Sequence, residues 1–265
     1  MAMSPRLLRP RVSGFNPKNV ANLEAWFDAA DSSTMTTVSG AVSEWRSKAG
    51  ATRNLTQGTA ANRPALTANY YNGRSAVSFD GSNDVLFATG LGAIAMSPLS
   101  VFIALDSEIT SATNDRAPMA LHAAGVSNTF DSGGGFLLIA NSGARTGGQR
   151  AAYEAMSRAA SGGMEVETVA RNTAQPIGKT VFGITADGTN GTLYQNGPQV
   201  DQQAAITSYT STTMYFGSLV QGQTTPALFW LGKIMEVLIY TRAVNATERA
   251  AITKYLGNRW GVSVT

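Results

Sequence analysis

The sequence predicts an all-β fold: an antiparallel sandwich with one short C-terminal helix and an extended N-terminal arm. Three observations carry this. Only 14% of the 265 residues are charged while 43% are apolar, and 27 are glycine; such a chain reads as strands joined by many turns. Apolar or alternating segments recur about every 8–15 residues with turn residues between them, the spacing of a sandwich rather than of βαβ units. One segment near the C-terminus carries a clear helical period.

Residues 1–21 form the predicted arm and residues 22–265 the domain. The net charge is +3. Arg6, Arg9, Arg11 and Lys18 supply +4 within the first 20 residues, which hold no acid, so the remainder sums to −1. The basic pI near 9.3 thus belongs largely to the arm. Three prolines there disfavour a helix and favour an extended path. The arm reads as a frayed terminus or as a tether, with Arg6, Leu7, Leu8, Arg9, Arg11 and Phe15 lying along a partner. Three arginines are a small footprint for nucleic acid.

Within the domain, residues 22–29 alternate as a strand should and 41–46 form a second strand. Residues 49–72, rich in Asn, Thr and Gly, read as a long ordered loop. Residues 75–80 and 84–88 flank a Gly-Ser-Asn turn and read as a hairpin-like pair. Residues 99–105 are nearly continuously apolar and read as a central strand. Residues 118–124, 136–140, 180–186, 191–196, 213–219 and 231–241 complete the set. Residues 150–160 have helical propensity, yet a sandwich prefers a strand there, and strand is the expectation. The helix opens at Asn245, with Glu248 closing a capping box. Ile252, Tyr255, Leu256 and Trp260 share one face, Gly257 interrupts it and Gly261 ends it.

Composition excludes several function classes. There is no cysteine, hence no disulfide frame, thiolate metal site or Cys nucleophile; assembly in a reducing cytoplasm fits. The single histidine, His122, excludes a multi-His metal site and most His-based triads and reads as a packed strand residue. No apolar run reaches the roughly 18–20 residues of a membrane helix, and no signal-peptide core is visible.

Four blocks, in order, resemble the concanavalin A-like, laminin-G-like jelly-roll superfamily: residues 23–33; Val42 to Trp45 with segments through Val77–Asp84; Asp187-Gly188 with Gly191 to Gly197; and Gly232 to Arg242 with the helix ending at Trp260. The resemblance implies an antiparallel jelly-roll β-sandwich. With the arm, the arrangement also resembles structural proteins of tailed bacteriophages. That implies a non-enzymatic virion protein of capsid-decoration or tail-fibre type, assembled in a host cytoplasm and contacting other virion subunits. A charge-poor surface favours homo-oligomers.

Trp26, Trp45, Trp230 and Trp260 read as core aromatics. Laminin-G-like domains often bind Ca²⁺ at the sandwich rim, and Asp80, Asn83, Asp84 and Asp187 are the candidates. Calcium needs six to eight oxygens, and turn formation explains these residues equally simply. As an alternative function, a carbohydrate-binding module for host glycan or polysaccharide would use exposed aromatics: Tyr70, Tyr71, Phe130 and Tyr209, all read in polar loops. A glycoside hydrolase is a remote alternative. Glu165 and Glu167 share a strand face, but the third acid carried by glucanases of this superfamily is missing.

Overall fold

The computed structural model describes residues 14–50, 53–109, 116–122, 135–140, 153–157, 166–170, 178–204, 210–221 and 225–265. Its strands are β1 (Leu23–Asp28), β2 (Met35–Val38), β3 (Ala41–Trp45), β4 (Leu55–Thr56), β5 (Ala65–Tyr71), β6 (Arg74–Asp80) and β7 (Leu86–Ala88). There follow β8 (Ile94–Ala95), β9 (Leu99–Ser107), β10 (Arg116–His122), β11 (Gly135–Ala140), β12 (Tyr153–Ser157), β13 (Val166–Ala170), β14 (Gly178–Ala186), β15 (Asn190–Gln195) and β16 (Gln199–Ala204). The last are β17 (Thr210–Ser211), β18 (Thr213–Phe216), β19 (Leu219–Gln221), β20 (Thr225–Ala227) and β21 (Leu231–Tyr240), before helix α1 (Ala246–Trp260). The fold is an antiparallel jelly-roll β-sandwich, as expected.

Pairing divides seventeen of the strands into two sheets, while β8 with β17 and β19 with β20 form two separate two-stranded ribbons. In the front sheet β5, β6, β21, β9, β14, β15 and β16 lie side by side, and β1 takes over from β6 along the second half of β21. In the back sheet the order is β2, β3, β4, β7, β18, β10, β11, β12 and β13. A single pair, Ala41 opposite Ala65, joins the two at one edge.

Between the sheets lies the main core. Phe27, Val101, Ile103, Leu105, Phe182, Val237 and Ile239 of the front sheet meet Trp45, Met119, Leu121, Met214 and Phe216 of the back. Phe27, Trp45 and Phe216 pack edge to face, with ring centroids 5.1 to 5.9 Å apart, an arrangement that suits the ring quadrupoles. The outer face of the front sheet is covered too. Trp26, Phe102, Ala104, Val181, Leu238 and Tyr240 pack under Ile252, Leu256 and Trp260 of α1. β9 and β21 are therefore buried on both faces, which is why they read as continuous apolar runs.

The helix forms as its sequence dictates. Asn245 Oδ1 accepts from the Glu248 amide at 2.9 Å, and Glu248 Oε2 accepts from the Asn245 amide at 2.9 Å. Gly261 closes the helix in the left-handed region. Gly257 does not break it. Its missing side chain lets Val264 lie directly on the helix, so the segment after α1 folds back along it.

Several expectations are corrected. The polar stretch 49–72 is not one loop, since it holds β4 and the edge strand β5, whose polarity reflects partial exposure on both faces. β6 and β7 do not form a hairpin. β6 pairs with β5 and β21 while β7 pairs with β18 and β4, so the turn between them crosses from one sheet to the other. The segment 213–219 divides into β18 and the start of β19, broken at Gly217 (φ 86). Residues 153–157 are a strand, as expected. On the arm side of the expected boundary at residue 21, Phe15 packs against Tyr255 at 5.4 Å. Pro17 and Val20 are buried, and the Pro17 carbonyl accepts from the Tyr240 hydroxyl at 3.3 Å. Phe15 thus belongs to the domain's own packing. Arg6, Leu7, Leu8, Arg9 and Arg11 lie outside the described residues.

Candidate functional site

The β5–β6 hairpin turns at Asn72-Gly73, both at positive φ (47° and 77°), between the paired Tyr71 and Arg74. This is the two-residue turn that Asn-Gly favours. It places Tyr70 and Tyr71 at the end of β5, on a strand and not in a loop. Consecutive strand residues normally face opposite ways. Here the register shifts between Thr67 and Tyr71, with Asn69 at φ 53°, and both rings come to the same cation. The Lys179 ammonium lies 3.9 Å from the Tyr71 centroid and 5.6 Å from that of Tyr70.

Lys179 is one member of a cross-strand row on the outer face of the front sheet. Asp106 on β9 sits opposite Lys179 on β14 and opposite Lys233 on β21. The Tyr70 hydroxyl donates to Asp106, and Lys233 donates to Glu108. Burial and the Asp106 charge push the Tyr70 phenol up, so it stays a hydrogen-bond donor.

Beside this row, Tyr71 forms one wall of an open cleft of about 700 Å³. Ala250, Lys254, Gly257 and Asn258 on the outward stripe of α1 form another wall, and residues 261–265 close it. Gly261 has φ 69°, and a Cβ there would overlap the Tyr71 ring. The tail is held at its far end by the Thr265 amide, which donates to the Asn196 carbonyl at 3.1 Å on the β15–β16 turn. The cleft thus offers an aromatic wall, a lysine, an amide and a hydroxyl among small apolar surfaces, a mix suited to a small polar ligand.

A second cluster, not expected from the sequence, lies sealed beneath α1. Glu236 and Asp28 are opposite one another on β21 and β1, and both are fully buried. Glu236 Oε1 accepts from Trp26 Nε1 at 2.8 Å and the Tyr255 hydroxyl at 2.7 Å. Its Oε2 accepts from Trp260 Nε1 at 2.8 Å and pairs with Arg259 Nε at 3.0 Å. Asp28 accepts from Arg259 at 2.8 and 3.0 Å and from Lys48 at 3.0 Å. Burial, then the Asp28 charge, pushes the Glu236 carboxyl up, against the pull of Arg259 and its donors. With every oxygen engaged and no solvent access, Glu236 fastens the helix to the sheet. The signal was legible as one acid inside the apolar run 234–240.

Of the candidate calcium residues, Asp80, Asn83 and Asp84 share one turn and Asp187 lies apart. Asp80 pairs with Leu231 at the start of β21, whereas Asp187 follows Ala186, which lies beside Leu99 at the end where β21 finishes. Nine strand residues, roughly 30 Å, separate the two. Asp80 Oδ1 accepts from the Ser82 and Asn83 amides at 2.8 and 3.3 Å, and Asp84 Oδ2 from the Asp80 amide at 2.9 Å. Burial pushes the Asp84 carboxyl up to about 6. Asp187 Oδ1 accepts from Asn190 and Thr189 at 2.6 and 2.8 Å, and these bonds hold its carboxyl down. All three shape turns. Among the described residues no three His, Asp or Glu side chains gather to hold a metal.

Phe130, Tyr209 and Glu165 lie outside the described residues, and Glu167 is placed on β13 opposite Met156. His122 is buried on β10. All four tryptophans are buried as expected.

The class defined by this architecture is the antiparallel jelly-roll β-sandwich. No protein-family model and no curated protein matches the chain. Among solved structures it is similar to domain 4 of AbnA, a GH43 extracellular arabinanase from Geobacillus stearothermophilus, in complex with arabinotriose. There the TM-score is 0.56 at 13% identity, covering 88% of this chain and 98% of that one. It is also similar to the Trypanosoma rangeli sialidase in complex with sialic acid (TM-score 0.55, 11% identity, 91% of this chain and 33% of that one). A third is the binding domain of botulinum neurotoxin DC in complex with SialylT (0.55, 11%, 89% and 51%). The chain therefore spans a third of the sialidase and about half of the toxin domain. At these identities the likeness establishes the fold.

Proposed function

We propose that this domain is a carbohydrate-binding module that receives a short saccharide in the cleft between Tyr71, α1 and residues 261–265. The observation that carries this reading is the cleft itself: an aromatic wall beside exposed Lys254, Asn258 and Ser263, which can meet sugar hydroxyls without a large ordering cost on a rigid helix and strand. The arabinotriose, sialic acid and SialylT complexes of similarly folded domains support it. Of the aromatics predicted from sequence, Tyr71 lines the cleft and Tyr70 stands behind it, tied to Asp106.

The test is calorimetric titration of hits from a glycan array. Tyr71→Ala is expected to weaken binding tenfold or more, while Val38→Ala, exposed on β2 of the other sheet, leaves it unchanged. Equal affinity of wild type and Tyr71→Ala refutes the placement in this cleft.

The virion reading rests on the N-terminal arm together with the overall arrangement of the sequence, and the structural likenesses concern the sandwich alone. It remains a proposal about the arm, independent of the cleft.

A further inference from the structure

We infer that Asn72 is a site of spontaneous, backbone-assisted deamidation, and that the fold directs this chemistry to Asn72 among three candidates. An asparagine is vulnerable where glycine follows it, because the glycine nitrogen can reach the asparagine side chain with no Cβ in the way. The chain has three such pairs: Asn72-Gly73, Asn190-Gly191 and Asn196-Gly197. In the reaction the Gly73 backbone nitrogen gives its proton to a solvent base and attacks Asn72 Cγ. An N–Cγ bond forms, the Cγ–Nδ2 bond breaks, and ammonia leaves with a proton taken from water. Water then opens the resulting succinimide at either carbonyl and leaves an aspartyl or an isoaspartyl linkage. Nothing is oxidised or reduced; the net change is water in and ammonia out.

The three pairs are unlike in the folded chain. Asn196 Oδ1 accepts from the Val181 amide at 2.9 Å, and the Asn196 amide donates to the Val181 carbonyl at 2.8 Å. Gly197 lies so close to the Thr265 carbonyl that a Cβ would overlap it. The Asn190 amide donates to Asp187 Oδ1 at 2.6 Å, and Gly191 is buried within the sheet between Ala186 and Gln203. Ring closure at either pair must first break these bonds. Asn72 and Gly73, by contrast, are both exposed at the tip of the β5–β6 hairpin, and a Cβ on Gly73 would meet nothing within 4 Å. The tip is also lightly held. Behind the Tyr71–Arg74 pair the ladder resumes only at Thr67 and Ala76, and such a tip opens at low cost while central strands stay closed. An isoaspartyl linkage there would add a methylene to the main chain of a turn that has positive φ at both residues, and so would shift Tyr71 at its base. The chemistry belongs to the turn and holds whether or not the cleft takes a saccharide.

Incubation of the full chain at pH 8 and 37 °C tests this, with samples taken over days, digested and mapped by mass spectrometry against synthetic aspartyl and isoaspartyl peptides. Conversion at Asn72 is expected to run about tenfold faster than at Asn190 or Asn196, which must wait for rarer openings. In concentrated urea the three pairs share an unfolded environment, and their rates should come within about threefold of one another. Asn72→Gln should remove the fast conversion and leave the other two rates as they were. Conversion at Asn190 or Asn196 as fast as at Asn72 in the folded chain overturns the inference. So does a ranking that survives unchanged in urea, since the sequence alone would then set it.

Discussion

The buried Glu236 makes stability depend on pH in a direction opposite to that of a salt-bridged surface acid. Its carboxyl is raised from 4.5 to about 7 in the folded protein. The native state therefore keeps a proton that the unfolded chain has lost, and stability falls as pH rises from about 4.5 to about 7, then levels. A tenfold change in proton affinity is worth about 1.4 kcal/mol, so the loss is on the order of 3 kcal/mol. Asp84, raised from 3.8 to about 6, adds a loss in the same direction that fades out about one unit above pH 6. The difference between wild type and Glu236→Gln over pH 6 to 7.5 therefore reads the Glu236 contribution. Urea denaturation followed by tryptophan fluorescence measures this directly, because Trp26 and Trp260 both donate to Glu236. The wild-type midpoint should drop across that interval, and Glu236→Gln, which cannot ionise, should flatten it. A wild-type midpoint that holds or rises from pH 6 to 7.5, or a Gln variant with the wild-type slope, refutes the reasoning.

Three further outcomes follow from the packing. Asn245→Ala removes the cap of α1 and should cost about 1 kcal/mol in denaturant unfolding, with Glu248→Gln costing less. Gly261→Ala forces a side chain into the left-handed region and into the Tyr71 ring, so it should cost roughly 1–3 kcal/mol and also weaken saccharide binding in titration. Truncation of residues 1–20 removes Phe15, Pro17 and Val20 from the packing and should cost about 2–4 kcal/mol. If the arm is a virion tether, truncation of residues 1–13 abolishes co-purification with the assembled particle.

Much of the fold was legible because its determinants are local. The capping box at Asn245 and the glycine at 261 define the helix ends through bonds spanning a few residues. The Asn196-Gly197 turn joins β15 and β16. The run 99–105 is a central strand because both its faces are covered. Asn72-Gly73 carried the same turn signal, and it marks the hairpin that makes β5 a strand. The polarity of β5 hid this, since an edge strand half in solvent lacks the alternation that betrays a buried face.

By itself the sequence determined an antiparallel sandwich, its buried tryptophans, its single capped helix and a pair of tyrosines worth testing. Only the tertiary structure decided what those residues meet. Crossing between sheets separated β6 from β7, and strand direction put Asp187 at the opposite end from Asp80, apart from the other candidate calcium residues. Cross-strand register set Lys179 against Asp106 and Lys233, and a bulge turned Tyr70 and Tyr71 toward the same ammonium. The fold-back of residues 261–265 over Gly257 built the remaining wall of the cleft. Register and layer order depend on contacts between residues far apart in the chain, and a local pattern holds no record of which distant strand will lie alongside.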